Sequence, residues 1–438
     1  MKFSKFNLII FDEQKKQNIL FNTLYGECFV ADENILESIE KDDIYILGDE
    51  MIETFKDKSI IIDDEIDENY YIEYFHNKAK FNTDTLSFTI LLTWACNLRC
   101  VYCYEGAGEV RNKSLNDSEC ESIISYIKNY IDNIRPKNVS IMLFGGEPLM
   151  NMKAADSILS QIDQYCIENN IQLYTSIITN GVLFDEDKIE FLKRYRCQYV
   201  QITLDGIKEI HDRRRVSKDG SSSFDKVIST LKMLNKRSDF VKPLIRINVD
   251  KNNIESTEIL LRYLKDEGLN TCGIDFGIVR SGTEACAGYA SSCFIESELG
   301  QVLDKLWNSA RNEGFKVKPR PMRKFLYCGL NKENSYTIAP TLDVYKCWEQ
   351  VGEEKHKIGH INKDGSFSEN TYRIIDWMSI NPNMVRECKE CVYLPSCGGG
   401  CAAQAYNEAQ TYHNKGCFRV KGVLEKELIY NLREKGVI

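Results

Sequence analysis

The sequence predicts an α/β protein: a partial (β/α)6 barrel, preceded by a small α+β module and followed by a loop-rich, cysteine-rich segment. Three observations predict it. Between Leu86 and Arg280, apolar strand-like runs alternate with segments of helical periodicity, the pattern of a parallel sheet with covering helices. Residues 1–88 have a different rhythm, and they hold 20 Asp and Glu against 9 Lys and no Arg. Of 17 cysteines, seven lie beyond residue 325.

The N-terminal module, residues 1–88, opens with "FNLIIFD", "QNILFNTL" and "ECFVAD", which read as short strands. "DENILESIEK" begins with an Asp in N-cap position and has apolar residues at helical spacing. "SIIIDDEIDENYYIEYFHNKAKF" reads as a strand and then a linker helix. Such an acidic module would steer a basic peptide, or simply be a solvated surface.

Residues 89–282 supply the barrel. Its strands are read at "LSFTILLTW", "NVSIMLFGG", "IQLYTSIITNG", "CQYVQITLDG", "PLIRINVDK" and "CGIDFGIVR". In such folds the chemistry sits at the C-terminal ends of the strands. Cys96, the turn Gly145–Glu147, Asn180 and Asp205 all fall just past expected strand ends. Residues 283–325 read as a helical bridge, and residues 326–438 as the loop-rich segment.

Composition narrows the class. Of the 438 residues, 43% are apolar, enough for sizeable cores, and no apolar run approaches the ~20 residues of a membrane span. The N-terminus turns charged early and has no small-residue cleavage site, so a cytoplasmic location is expected. A net charge of −9 without a basic face excludes nucleic acid as the expected partner. In a reducing compartment, clustered cysteines point to metal or iron–sulfur ligation rather than disulfides.

Cys96, Cys100 and Cys103 fall within eight positions, in "CNLRCVYC". A structural metal site normally takes four protein ligands, and three leave a position open for chemistry. Three thiolates also suit a [4Fe–4S] cluster whose fourth iron is free for an amino-acid-like ligand. A zinc knuckle or three core thiols are the alternatives.

With its aromatic before the last cysteine, "CNLRCVYC" resembles the signature of radical S-adenosylmethionine (radical SAM) enzymes. "FGGEP", Phe144 to Pro148, resembles the glycine–glycine–glutamate turn of that family. The resemblance implies a SAM ligand cleaved to a 5′-deoxyadenosyl radical. It implies that Gly145 and Gly146 let the backbone approach SAM, and that Glu147 accepts from its ammonium. Ser176 and Asn180 in "SIITNG" resemble strand-end residues that meet SAM, and Arg215 resembles the arginine that pairs with its carboxylate. His211 reads as structural.

Cys388, Cys391, Cys397, Cys401 and Cys417 follow a C-x2-C-x5-C-x3-C pattern with a later fifth, and Cys328 and Cys347 stand upstream. The set resembles a SPASM domain, which holds two auxiliary [4Fe–4S] clusters. That resemblance implies Cys388, Cys391, Cys397 and Cys417 as ligands of the distal cluster, and Cys328, Cys347 and Cys401 as ligands of the proximal one. The cysteine that often completes the proximal set is missing here. That iron is open, or is filled from a distance, with Cys272, Cys286 and Cys293 as candidates.

The chain therefore resembles radical SAM/SPASM peptide maturases, and among them the streptide-type enzymes that join Lys to Trp by a carbon–carbon bond. This implies three [4Fe–4S] clusters, SAM, a precursor peptide with a leader sequence, and an electron donor such as a flavodoxin or ferredoxin. Residues 1–88 would bind the leader as an added edge strand. Alternatives are thioether formation, epimerisation, sulfatase-type maturation, or a non-catalytic iron–sulfur peptide-binding protein. Sulfatase maturases carry an aspartate base after the second proximal cysteine. Here Trp348 follows Cys347, and Glu349 is the nearest carboxylate and the candidate base.

Overall fold

The computed structural model describes residues 1–106, 109–317 and 323–438. Six parallel strands form at Thr85–Thr93, Asn138–Gly145, Gln172–Thr179, Tyr199–Thr203, Lys242–Val249 and Gly273–Ile278. They are neighbours in chain order, with helices such as Asp117–Ile134 and Met152–Glu168 between them. The second strand shows why the sequence folds this way. Val139, Ile141 and Leu143 alternate with less buried residues and are at most 2% exposed in the core. Between them, Met142 and Phe144 face the opposite way and line a cavity.

The sheet does not close into a barrel. The free edge of Thr85–Thr93 is taken by Ser335–Ile338, which pairs with it in parallel. This buries most of the first strand: Leu86, Phe88, Ile90, Leu91 and Leu92 are at most 1% exposed. From there Asp343–Tyr345, Gly359–Ile361 and Phe367–Glu369 continue the same sheet in antiparallel fashion. The cysteine-rich segment thus shares backbone hydrogen bonds with the parallel strands.

The stretch expected as a helical bridge is more varied. It has 3-10 turns at Glu284–Ser292 and Glu296–Glu298, one α-helix at Leu299–Asn312, and a short strand, Lys316–Val317, on the far edge of the sheet. Residues 318–322 of the bridge lie outside the described residues.

In the N-terminal module, Asn7–Asp12, Gln17–Asn22 and Cys28–Ala31 form an antiparallel sheet. Asp32 caps the helix Glu33–Lys41 by accepting from the Ile35 amide at 2.9 Å, the role its sequence position suggests. The linker helix is Glu68–Lys80. Its first residue, Glu68, is buried and accepts from Ser4 Oγ and the Lys5 amide. Ile10, Ile19 and Phe21 pack against Leu428, Ile429 and Leu432 of the C-terminal helix Val423–Glu434. Thr23 Oγ1 donates to the Val392 carbonyl, so the acidic module is seated on the cysteine-rich end.

That end is held by an aromatic cluster in which Trp377 packs on Tyr412, and Tyr412 on Tyr406. His356 is buried among them and shares a 2.6 Å hydrogen bond with the Tyr412 hydroxyl. Burial pushes its pKa down from 6.5 to about 4, with Glu353 at 3.5 Å opposing. The folded state then keeps His356 neutral while the unfolded chain takes a proton. Its contribution is intact above pH about 6.5 and is lost as pH falls toward about 4. Urea midpoints of wild type should fall more steeply over this range than those of His356→Gln. Parallel pH profiles would contradict this account.

Candidate functional site

The first parallel strand ends at Thr93, and the chain turns across the strand ends to present its thiols. A short strand, Leu98–Cys100, pairs antiparallel with Arg215–Ser217, which sets Cys100 directly opposite Arg215. The Cys103 amide then donates to the Cys100 carbonyl. Cys96, Cys100 and Cys103 line one wall of a cavity of about 520 Å³, shared with Gly145, Gly146 and Asn180. Burial pushes the Cys96 thiol up to about 11 and the Cys100 thiol up to about 12. Leaving such thiols ionised is costly unless an electrophilic centre takes them, so this donor set fits a thiolate-bound metal group. Among the described residues no three Cys, His, Asp or Glu side chains close on one ion. Thiols spread around a cavity suit a cluster in which each sulfur takes a different iron.

The glycine pair is required by space. A Cβ on Gly145 would lie 2.2 Å from the Thr93 carbonyl oxygen, and one on Gly146 2.4 Å from that of Trp94. The Gly146 amide donates to the Thr93 carbonyl and the Glu147 amide to that of Ala95, so this turn is laced to the cysteine loop. Glu147 itself is fully buried behind the cavity wall. Its carboxylate accepts from Thr179 Oγ1 at 2.6 Å, the Asn180 amide at 2.7 Å and the Leu149 amide at 3.0 Å. Its observed work is to join two strand ends, which leaves backbone groups of the glycines facing the cavity. Asn180 Nδ2 donates to Asn97 Oδ1 at 2.7 Å and lies 3.9 Å from Cys96 Sγ. Ser176 lies inside its strand, opposite Met142 and Tyr199 in register, two residues that line the cavity.

Arg215 is buried and donates to the Tyr102 hydroxyl at 2.7 Å, with Asp205 at 3.9 Å. Its Nε is buried and has no hydrogen-bond partner, and the residue lines the cavity. Tyr102 also donates to Asp205, and Asn248 donates to Tyr102. Arg214, next to Arg215, pairs with Asp250 at 2.7 Å. His211 accepts from the Asp205 amide through Nδ1, and burial keeps it neutral by pushing its pKa well down.

In the C-terminal segment, Cys388, Cys391, Cys397 and Cys417 line one cavity of about 140 Å³. The intervening glycines permit this. Gly398, Gly399 and Gly400 all have positive φ, and a Cβ on Gly400 would lie 2.3 Å from the Gly416 carbonyl oxygen. Cys328, Cys347 and Cys401 interact electrostatically with one another. Glu349 belongs to the same neighbourhood, lines the main cavity, and is ion-paired with Arg280. The three spare cysteines have separate partners. Cys272 sits by Asn235 Oδ1, Cys293 by the Tyr289 carbonyl, and Cys286 by Thr283 and the Arg280 carbonyl.

Sequence reasoning missed several cavity residues. Burial raises the Glu105 carboxyl to about 7, and its Oε2 has no partner. It stands two positions after Cys103, which was the available signal. Arg246 and Asp275 form an ion pair inside the cavity, from adjacent strands. No local motif marks them, because register alone brings them together.

Gly146→Ala should destabilise the protein by ~1–3 kcal/mol, as overpacking against fixed backbone does. Chemical denaturation checks this, and an unchanged midpoint would contradict the packing described.

Residues 90–264 match the model of the Radical SAM superfamily. The chain is 27% identical over 324 residues to a cysteine-type anaerobic sulfatase-maturating enzyme of Clostridium novyi, covering 70% of this chain and 84% of that one. Its structure is similar to that of native anSMEcpe with bound AdoMet and Cp18Cys peptide (TM-score 0.60, 20% identity, 81% of this chain and 98% of that one). It is also similar to Streptococcus suis SuiB bound to precursor peptide SuiA (TM-score 0.56, 15% identity, 96% and 99%).

Proposed function

We propose that this chain, whose residues 90–264 match the radical SAM superfamily, is a maturase that joins Lys to Trp within a ribosomally made peptide. The observation behind this reading is the cavity that gathers Cys96, Cys100 and Cys103 against the Gly145–Gly146 turn, with a second, four-cysteine cavity in the C-terminal segment. Both similar solved structures hold peptides, which supports a peptide substrate here.

Cys96, Cys100 and Cys103 would hold a [4Fe–4S] cluster, and the cluster with SAM supplies a 5′-deoxyadenosyl radical when bound. The backbone of Gly145 and Gly146 would meet the SAM ammonium, with Asn180 beside it. Arg215, which lines the cavity, would pair with the carboxylate, while Tyr102 and Asp205 keep the guanidinium in place.

Joining two carbons removes two hydrogens from the peptide. One leaves as an atom to the deoxyadenosyl group. The other leaves as a proton and an electron, so a base and an electron acceptor are both needed. Glu349 at the cavity wall would take the proton on Oε2, while Arg280 holds Oε1. Cys388, Cys391, Cys397 and Cys417, and separately Cys328, Cys347 and Cys401, would hold the acceptors. Residues 1–88 would bind the leader along an outer strand of the three-stranded sheet, whose exposed Val30 lies on one edge. A flavodoxin or ferredoxin would supply the first electron.

Sulfatase-type maturation is the second reading, favoured by the Clostridium novyi relative. Against it stands Trp348 after Cys347, where that chemistry places an aspartate.

The test is to search the reading frames beside this gene for a short Lys- and Trp-containing peptide and to follow that peptide by mass spectrometry after anaerobic incubation with the reconstituted protein, SAM and reductant. The expected product has lost two hydrogens, with fragmentation placing the link between Lys and Trp. An unchanged mass, or a link at cysteine, would overturn the cross-linking assignment. Cys100→Ala should abolish 5′-deoxyadenosine formation, and retained formation would contradict its place as a ligand.

A further inference from the structure

Just beyond the last parallel strand, Arg280 stands between the cavity mouth and the cysteine-rich segment. Its guanidinium is fully engaged there. Nη2 donates to Glu349 Oε1 in an ion pair. Nη1 donates to Gln404 Oε1 at 3.3 Å and to Cys401 Sγ at 3.8 Å. The guanidinium carbon lies 4.4 Å from the centre of the Phe418 ring. Side-chain exposure is 21% for Arg280 and 27% for Glu349. One cation therefore touches Cys401, the carboxylate two residues after Cys347, and the ring that follows Cys417. None of these contacts belongs to the sheet, and a partly buried guanidinium is an expensive way to fill space.

We infer that Arg280 is a positioning residue that raises the electron affinity of the iron–sulfur group held by Cys328, Cys347 and Cys401, and fixes Glu349 at the cavity wall. The inference rests on the auxiliary-cluster reading proposed above. Two effects of the same sign support it. A guanidinium N–H directed at a ligating sulfur stabilises the extra negative charge of the reduced state, and hydrogen bonds to sulfur are among the levers that set such potentials. The same guanidinium neutralises Glu349, an anion whose field otherwise opposes reduction. The electron released when the peptide loses its second hydrogen then has an acceptor that takes it readily, beside the group proposed to take the proton. Lysine cannot replace this arrangement. A single ammonium lacks the planar fork that reaches sulfur and carboxylate together and stacks on Phe418.

The test is a potentiometric titration followed by electron paramagnetic resonance on the anaerobically reconstituted full chain, with iron counted first. In Arg280→Gln, one signal that does not respond to SAM should shift to lower potential. The expected change is about tenfold in the reduced-to-oxidised ratio at fixed potential, or about 59 mV for a one-electron couple. The midpoint of the SAM-responsive signal should stay at its wild-type value. Arg280→Gln/Glu349→Gln should recover part of the shift, because the unmasked anion is gone. Arg280→Lys, the variant most able to fold, should give a smaller shift in the same direction. Full iron with wild-type midpoints in Arg280→Gln and Arg280→Lys would overturn the inference and leave the cluster reading standing. About four irons and a SAM-responsive signal alone would overturn the auxiliary-cluster reading, and the inference with it.

Discussion

The site depends on a three-residue antiparallel ladder that sets Cys100 opposite Arg215. This pairing ties the cysteine loop after the first parallel strand to the loop after the fourth. Without it the segment around Cys96, Cys100 and Cys103 would be a loop with no reason to stay over the strand ends. Laced to it from the other side are the amides of Gly146 and Glu147, which donate into the backbone of Thr93 and Ala95. The backbone that carries the thiols, the glycine turn and Arg215 is therefore fixed by main-chain hydrogen bonds, and the guanidinium is held in turn by Tyr102. A site that must hold both a multi-iron group and a reactive small molecule needs such rigid support.

Much of this was legible in the sequence, for identifiable physical reasons. Apolar runs alternating with helical periodicity demand a parallel sheet with covering helices, and six such strands are present. The capping role of Asp32 followed from its place before an amphipathic run. Other features depend on contacts distant in sequence, which no local pattern encodes. Ser335–Ile338 occupies the edge of the first strand, so the cysteine-rich segment continues the sheet. Glu147 reads as a ligand contact from its motif, and what its motif does not reveal is that the carboxylate also accepts from Thr179 and two amides. Ser176 sits inside its strand because that strand runs on to Thr179. The Arg246–Asp275 pair arises from strand register alone.

The shared sheet has a chemical consequence. Because the C-terminal segment is hydrogen-bonded to the first strand, the thiols at the cavity and those beyond Cys328 cannot drift apart as hinged domains would. Glu349 and Trp348, close after the Asp343–Tyr345 strand, are brought to the cavity wall by that continuity. In the proposed reaction, proton and electron would thereby leave the substrate within a single neighbourhood. The N-terminal module is seated on the cysteine-rich end through Thr23 and the C-terminal helix, so a leader bound to it as proposed would be tethered to the same body as the cavity. Tethering raises the local concentration of the segment to be modified.

The central claim is that the three cavity thiols leave one iron without a protein ligand, and that SAM takes it. The most direct measurement is the electron paramagnetic resonance spectrum of the reduced, anaerobically reconstituted protein before and after addition of SAM. The account predicts that one cluster signal changes in shape and position on adding SAM, and that Cys96→Ala, Cys100→Ala and Cys103→Ala each lose that signal. A spectrum indifferent to SAM in fully loaded protein would contradict it.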